Sequence, residues 1–321
     1  MRLRLGLLGL LLVAACATAP IPAPVPAPIP AAVPAVELFV LGIAQDGGLP
    51  HFGCEQPCCV NARATGRVLY PAALGVVDRR VDKLLLVECT PRIEEQVALL
   101  HELAGVHGRG RQPVDAVMTT HAHIGHYLGL AWFGREVAGS KQMPVHCSPR
   151  FGAFLRQHAP WRQLVELQQI DVQEFVIGEA FAPWPGLTVR AIAVPHRDEF
   201  SDTVAFVLAG PQRRVLFVPD IDAWERAPGL LQQLLADVDV AYLDGTFFDG
   251  SELPERNLAE IRHPLMVRTM ELLAEQAKAR PGAIRFLHCN HTNPALHDAA
   301  VRARIEAAGF RLASQGERLA L

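Results

Sequence analysis

Three histidines within six residues limit what this chain can fold into more than any other feature. His121, His123 and His126 follow an apolar stretch at residues 114–118 and precede another at residues 127–137. Side chains alternate along an extended segment, so the first two histidines can reach one metal ion while His126 faces a neighbouring ion. Imidazole is a common zinc ligand. The pattern predicts a metal site where a buried strand meets a helix, rather than a polar loop with solvated histidines.

Apolar periodicity along the rest of the chain is typical of a mixed α/β protein. We predict strands at residues 37–42, 72–77, 83–88, 114–118, 188–194, 203–208, 214–218, 238–243 and 283–287. We predict helices at residues 91–104, 127–137, 265–278 and 299–308. Early strands, a helix and then a second set of strands and helices predict an α/β sandwich of two sheets flanked by helices.

The composition limits the kinds of partner. Hydrophobic residues make up 50% of the 321 residues and charged residues 20%, so most of the chain can contribute to a core. The formal net charge of −3 gives no basic surface for a nucleic acid. We therefore expect a small-molecule substrate and no nucleic-acid partner.

The N-terminus has the pattern of an export signal. Arg2 and Arg4 precede an apolar run at residues 5–13, and small residues lead to Cys16. This resembles a lipoprotein signal, in which residues 1–15 are removed and Cys16 is lipidated. The alternative is an ordinary cleaved signal peptide with an incidental cysteine.

A Pro/Ala-rich stretch follows, and such a stretch forms an extended tether rather than a helix or sheet. We predict a tether at residues 16–36 and a catalytic domain at residues 37–321. The protein would then be held by its lipid anchor on the periplasmic side of a bacterial membrane. Ala17, rather than Asp, follows the cysteine, and by resemblance to lipoprotein sorting rules this favours the outer membrane.

The histidine segment resembles the His-x-His-x-Asp-His motif of metallo-β-lactamase-fold enzymes, which implies the αββα sandwich of that fold. The resemblance implies a first metal ion held by His121, His123, His196 and Asp220, and a second held by His126, Asp220 and His288. It assigns catalytic roles to Asp220 and His126, with Asp222 as a near alternative to Asp220. Gly125 stands where the family has Asp, and glycine offers no ligand atom.

Further stretches resemble the pyrroloquinoline quinone biosynthesis protein B family. They are Val40-Leu41-Gly42-Ile43-Ala44-Gln45-Asp46-Gly47-Gly48-Leu49-Pro50, Glu88-Cys89-Thr90-Pro91-Arg92-Ile93, Leu243-Asp244-Gly245-Thr246-Phe247-Phe248 and Phe286-Leu287-His288-Cys289-Asn290-His291-Thr292-Asn293-Pro294. His263 falls where that family has a Gly-His pair. The resemblance covers residues 38–300 in order and identifies the chain as a relative of that family.

The cysteines following residue 53 resemble a structural zinc loop, Cys-x-Cys-x-x-Cys, found in the same family. The resemblance implies a structural zinc ion held by Cys54, Cys58, Cys59 and His291, in which Cys58 substitutes for a middle cysteine replaced by Gln56. A disulfide within the loop is the alternative. Cys89, Cys147 and Cys289 are expected to be buried thiols.

The resemblance implies a metal-dependent hydrolase of an ester, phosphodiester or amide, with one or two zinc ions, or manganese or iron in their place. Asp244 and Thr246 are expected to support the ligands from behind. Two other interpretations stay open. With iron, the same ligands suit an oxygenase, and with a closed first site and an empty second one the protein would be a carrier.

Overall fold

Two seven-stranded sheets form the centre of the part of the chain that the structure describes. The structure is a computed structural model that describes residues 34–253, 257 and 261–321. The predicted signal peptide, Cys16 and the predicted tether up to residue 33 lie outside the described residues. The first strand begins at Val36, which is the last residue of the predicted tether.

The first sheet begins with antiparallel strands and continues with parallel ones. Its order is β14-β1-β2-β3-β4-β5-β6, and the pairs from β3 to β6 are parallel. Its strands are β1 (Val36–Gly42), β2 (Ala73–Asp78), β3 (Lys83–Val87), β4 (Ala116–Met118), β5 (Met143–Cys147), β6 (Ile170–Glu174) and β14 (Arg318–Ala320).

The second sheet repeats this arrangement, with antiparallel strands followed by parallel ones. Its order is β13-β12-β11-β10-β9-β8-β7, and the pairs from β10 to β13 are parallel. Its strands are β7 (Ala180–Trp184), β8 (Leu187–Ala193), β9 (Val204–Ala209), β10 (Arg214–Val218), β11 (Val240–Asp244), β12 (Ile284–Leu287) and β13 (Arg311–Leu312).

Helices cover the outer faces of both sheets, which completes the four-layer sandwich expected from the sequence. They are α2 (Ile93–Ala104), α3 (Ile124–Tyr127), α4 (Pro149–Gln157), α5 (Trp161–Glu166), α6 (Leu230–Leu235), α7 (Met266–Leu272), α8 (Ala274–Ala279) and α9 (Ala299–Ala307). Helix α1 (Pro57–Thr65) instead packs in a small separate cluster with Leu49. Among the described residues, none of the helices is both long and apolar enough to cross a membrane.

Three apolar clusters hold the layers together. The cluster between the sheets includes Leu38 of β1 and Phe206 of β9. The opposite face of β1 presents Phe39 to the helices of the first sheet, where Leu100 of α2 packs. Phe286 of β12 belongs to the third cluster, under α6 to α9. Strands with both faces buried carry apolar residues at every position, which is why they appear as continuous apolar runs in the sequence.

A polar contact also joins the two sheets. Trp184 Nε1 in β7 donates a hydrogen bond to Asp78 Oδ2 in β2 at 3.0 Å, and Arg80 Nε donates to Asp78 Oδ1 at 2.8 Å. Burial alone would raise the pKa of Asp78, but these hydrogen bonds lower it below its usual range. Asp78 is therefore a buried carboxylate that contributes stability while it is ionised.

Two of the predicted helices differ from the observed ones. The predicted helix at residues 127–137 is wrong: α3 is a single turn followed by a 3-10 segment at Leu128–Phe133. The reason is tertiary, because a Cβ at Gly129 would lie 2.4 Å from the carbonyl oxygen of Thr90. The glycine allows close packing there but weakens the helix. The predicted helix at residues 265–278 is divided at Leu273 into α7 and α8.

Candidate metal centre

The ends of several strands converge at one edge of the sandwich. His121 follows β4, His196 follows β8, Asp220 follows β10, and His288 follows β12. Asp46 lies four residues beyond the end of β1. Loops at the ends of strands bring polar side chains to one place without interrupting the apolar core. All the sequence-predicted ligands of the two metal ions lie at this edge.

The first group of ligand atoms contains His121, His123, His196 and Asp220, whose ligand atoms all lie within 4.8 Å of one another. Asp220 Oδ2 is 3.5 Å from His121 Nε2 and 3.2 Å from His196 Nε2. His121 Nε2 and His123 Nδ1 are 2.8 Å apart. Burial lowers the pKa of His121 well below its usual range, which favours the neutral imidazole that metals bind.

The second group contains Asp46, His126 and His288. Asp46 Oδ1 is 3.4 Å from His126 Nε2 and 3.6 Å from His288 Nε2. Asp220 Oδ2 is 3.6 Å from His126 Nε2, so one carboxylate contacts both groups. His126 and His288 therefore lie beside the first group as the sequence predicts, together with a carboxylate that was not predicted.

Side chains behind the histidines fix their orientation. Thr120 Oγ1 lies 2.9 Å from His121 Nδ1 and donates a hydrogen bond to Glu88, whose Oε1 lies 3.4 Å from His126 Nδ1. Thr246 Oγ1 is 3.0 Å from His288 Nδ1, as expected for a supporting residue. Partners of this kind select the tautomer that turns the opposite nitrogen towards a metal ion.

The position of Asp222 distinguishes it from Asp220. Asp222 Oδ1 lies 3.4 Å from His196 Nδ1, on the side of the ring away from the group of ligand atoms. Arg226 and Arg262 contact the other oxygen of Asp222, at 2.9 and 3.3 Å. Asp222 thus supports His196 from behind, while Asp220 points into the centre.

Two residues at this edge adopt a backbone conformation that ordinary residues avoid. Glu88 has φ 72° and His288 has φ 59°, both in the left-handed region. Non-glycine residues in this region carry a conformational cost and are concentrated at functional sites. Here the unusual backbone turns both side chains into the centre at the ends of β3 and β12.

The buried polar atoms of the centre fit a divalent cation. His126 Nε2, His196 Nε2, His288 Nε2 and Asp46 Oδ1 face the centre and are buried without a hydrogen-bond partner among the described residues. Buried polar atoms are nearly always paired, so such a concentration indicates an ion between them. With metal–ligand distances of about 2.0–2.2 Å, two nitrogen or oxygen ligands of a tetrahedral site lie roughly 3.4 Å apart. The separations of 3.2–3.6 Å between Asp220, Asp46 and the histidines agree with that value.

The two carboxylates carry negative charge. Burial would raise the pKa of Asp220, but His263 and His288 lower it well below its usual range. Burial alone would also raise the pKa of Asp46, but the neighbouring His126 and His288 lower it well below its usual range. Ionised carboxylates in a buried site need positive charge nearby, which the neighbouring histidines or a divalent cation can provide.

His263 is a further histidine at the centre that the sequence did not single out as a site residue. Its Nδ1 lies 2.9 Å from Asp244 Oδ2 and 3.1 Å from Asp220 Oδ1. These are hydrogen-bond distances, although one ligand atom each of Asp220, Asp244, His263 and His288 also lies within 4.8 Å of the others. Burial lowers the pKa of His263, but Asp244 and Asp220 more than offset this and raise it well above its usual range. A histidine that stays protonated in this way can act as a proton donor.

The cysteines form a separate group with His291. The Nδ1 of His291 lies 3.8 Å from Cys54 Sγ, 3.7 Å from Cys58 Sγ and 3.4 Å from Cys59 Sγ. Tetrahedral zinc with thiolate bonds of about 2.3 Å separates such atoms by roughly 3.6 Å. The mutually close set comprises Cys54, Cys59 and His291, with Cys58 Sγ 3.9 Å from Cys59 Sγ.

The three cysteines are free thiols, so the structure contains no disulfide within this described loop. Burial raises the pKa of the Cys59 thiol to about 11. Because a bound metal ion deprotonates its cysteine ligands, zinc would hold this residue as a thiolate. Cys89, Cys147 and Cys289 are buried free thiols, as expected.

A cleft of about 840 Å³ leads to the centre and includes Asp46 and His123 in its lining. Three large apolar side chains on its walls are exposed: Phe52 is 94%, Ile124 63% and Phe200 57% accessible. A cavity of this volume suits a small molecule. The cleft thus combines exposed apolar side chains with polar residues.

Three residues of the centre were missed in the sequence. Glu88 directly follows a strand, and this is the same signal by which Asp220 was selected. Asp46 was interpreted as part of an Asp-Gly-Gly turn, because its proximity to His126 arises only from the tertiary fold. His263 stands in a segment without strand or helix periodicity, and only its place in the family resemblance could have singled it out.

Comparison with known proteins agrees with this architecture. Residues 84–288 match the family described as "Beta-lactamase superfamily domain". "Coenzyme PQQ synthesis protein B" of Methylobacterium sp. (strain 4-46) is 26% identical over 307 residues, covering 89% of this chain and 100% of that protein. The protein of the same name from Rhizobium meliloti (strain 1021) is also 26% identical, covering 88% of this chain and 96% of that protein.

Two solved structures share the fold along nearly the whole chain. Zn(2+)-bound PqqB from Methylobacterium extorquens superposes with a TM-score of 0.74 at 22% identity, covering 89% of this chain and 100% of that chain. A diphosphatase from the PhnP family superposes with a TM-score of 0.61 at 20% identity, covering 88% and 96%. These similarities establish the fold.

Proposed function

The chain belongs to the β-lactamase superfamily, and on that basis we propose that it is a metal-dependent hydrolase of a small molecule with an ester, phosphodiester or amide bond. One observation carries the proposal: His121, His123, His196 and Asp220 present converging ligand atoms, and His123 among them lines an open cleft. The zinc-bound relative supports zinc as the metal. A metal ion held there would act as a Lewis acid and lower the pKa of a coordinated water molecule.

The residues of the chain divide the remaining work. Asp220 contacts both groups of histidines through Oδ2, so it would hold the centre together and fix its geometry. His263, held by Asp244, would donate a proton to the leaving group. The exposed walls of the cleft, Phe52 and Phe200, would hold an apolar part of the substrate beside the scissile bond.

The experiment is a mutational test on the purified protein loaded with zinc or manganese. Turnover is measured with bis(p-nitrophenyl) phosphate, p-nitrophenyl acetate and a chromogenic lactam as probes. His121→Ala should abolish metal binding at the first group and all turnover, while His107→Ala, at an exposed histidine away from the centre, should change neither. Turnover by His121→Ala equal to that of the unmodified protein would refute the proposal.

A second function is favoured by the names of the curated relatives, which are coenzyme PQQ synthesis proteins. In that case the centre would hold iron and support an oxygenase reaction, or the protein would bind and carry a product of that pathway. Metal analysis of the purified protein distinguishes these functions. Zinc or manganese supports the hydrolase, iron supports the oxygenase, and the absence of metal supports a carrier.

We also propose that Cys16 carries a lipid that holds the domain on the periplasmic side of the outer membrane. The support is the sequence of the N-terminus, from Arg2 to the Pro/Ala-rich stretch. Labelled palmitate should be incorporated by the full chain and not by Cys16→Ser. Ala17→Asp should keep the label but move the protein to the inner-membrane fraction. Equal labelling of Cys16→Ser would contradict the proposal.

A further inference from the structure

The carboxylate of Asp46 lies where a side chain at position 125 would be. A Cβ added to Gly125 would stand 2.0 Å from Asp46 Oδ1 and 2.4 Å from its Cγ. No side chain at position 125 can coexist with Asp46 in its present position. The carboxylate of Asp46 can therefore occupy its position only because Gly125 has no side chain.

Asp46 Oδ1 points into the centre although the side chain reaches the surface. The side chain is 45% exposed, yet Oδ1 is buried and has no hydrogen-bond partner among the described residues. It lies 3.4 Å from His126 Nε2 and 3.6 Å from His288 Nε2, and both of these nitrogens also lack a hydrogen-bond partner there. Three unpaired ligand atoms facing one another indicate a cation rather than a set of hydrogen bonds.

The loop that carries Asp46 is fixed to the segment that carries His288. Gln45 N donates to the carbonyl oxygen of Cys289 at 2.8 Å, and Asn290 Nδ2 donates to Gln45 Oε1 at 2.7 Å. These bonds flank Asp46 and His288 directly, so they hold the two side chains at a fixed separation. A rigid support of this kind is what a metal ligand requires.

We propose that Asp46 is a ligand of a second divalent metal ion, together with His126, His288 and the shared Asp220. The loop after β1 thus provides the carboxylate that position 125 cannot provide. The inference rests on the metal centre of the proposed function, but it concerns metal binding alone. It would stand for an oxygenase as well as for a hydrolase.

The first experiment counts bound metal. The full chain is saturated with zinc, separated from free metal and analysed for zinc per chain, and zinc affinity is measured by chelator competition. Asp46→Asn should lose about one equivalent, or bind its last zinc at least about tenfold more weakly. Asp198→Asn, a matched change at an exposed carboxylate near the cleft, should retain the full count. Full zinc content and affinity in Asp46→Asn would overturn the proposal.

The second experiment moves the carboxylate to the other position. Gly125→Asp alone should lower the Tm, because the new side chain collides with Asp46. The double variant Asp46→Gly with Gly125→Asp removes the collision and should regain the equivalent lost by Asp46→Asn. A double variant that folds with the Tm of the unmodified protein and still lacks one equivalent of zinc would refute the idea that a carboxylate at position 125 can replace Asp46 as a metal ligand.

The two proposals can fail separately. If zinc counts follow the expected pattern and none of the probe substrates is turned over, the hydrolase proposal fails and the assignment of Asp46 stands. If turnover depends on His121 and zinc content does not depend on Asp46, the hydrolase stands and this inference fails. A protonated histidine paired with Asp46 in place of a metal ion would give the second result.

Discussion

We expect Glu88→Gln to weaken metal binding at the centre, although Glu88 is not itself one of the metal ligands. Glu88 is fully buried at the end of β3, where it accepts hydrogen bonds from the hydroxyl and, at 3.3 Å, the amide of Thr120. Its Oε1 also lies 3.4 Å from His126 Nδ1. The glutamine amide keeps one acceptor and turns the other into a donor, so one of these groups loses its acceptor.

The size of the effect on metal binding follows from the loss of this one hydrogen-bond acceptor. A buried donor left without an acceptor costs about 1–3 kcal/mol. At about 1.4 kcal/mol per factor of ten, the metal Kd should rise between roughly fivefold and 150-fold. Thr120 and His126 are the residues affected, so the loss should appear in both groups of the centre.

The assay is chelator competition for zinc, with thermal unfolding measured in parallel. Glu37→Gln is the matched control, because Glu37 is equally buried and pairs with Arg79 and Arg318 at the opposite end of β1. It should lower the Tm and leave the metal Kd unchanged. A Kd for Glu88→Gln within twofold of the unmodified protein, or an equal shift in Glu37→Gln, would refute the reasoning.

Three further predictions concern other parts of the molecule. Asp78→Asn should lower the free energy of unfolding by about 1–3 kcal/mol at pH 7. The folded pKa of Asp78 is depressed, so its contribution to stability is full above the unfolded pKa of about 4 and is lost as the pH falls through the folded pKa. In urea unfolding, the difference in unfolding free energy between Asp78→Asn and the unmodified protein should therefore be smaller at pH 2.5 than at pH 7. Cys59→Ser should remove one equivalent of zinc and lower the Tm, whereas Cys147→Ser should keep the zinc count; equal counts in Cys59→Ser and the unmodified protein would contradict a structural ion. His263→Asn should retain metal and lower kcat by about 10²–10⁴ for substrates with poor leaving groups, with little effect for p-nitrophenolate; an equal loss for both kinds of substrate would exclude a proton donor.

The architecture was largely predictable because it depends on local patterns. The order of strands and helices predicted two sheets flanked by helices, and the antiparallel pair β2 and β3 was predicted from its apolar runs and polar turn. The short strands β5 to β7 were missed, since Pro144 and several polar residues interrupt their periodicity. The pairing of β14 with β1 joins Phe39 to Arg318 across most of the chain, and no local pattern predicts it.

The centre was predictable to the extent that its residues are adjacent in sequence or follow a strand. His121, His123 and His126 were evident from their spacing, and Asp220 from its place after β10. Asp46 was not, because its role depends on the space left by Gly125, which lies far along the sequence. The sequence showed a missing ligand at Gly125, whereas its substitute is visible only in three dimensions.

The wide spread of the donors along the chain has a consequence for how the protein matures. Three imidazoles are available early, but His288 follows only with β12, and bringing distant segments together costs loop-closure entropy. A chain that ends before β12 would keep His121, His123, His196 and Asp220 but lack His288, so only the first group of ligands could be complete before that point. The metal content of a purified sample would therefore show whether the C-terminal part of the domain, up to β12, is present and folded.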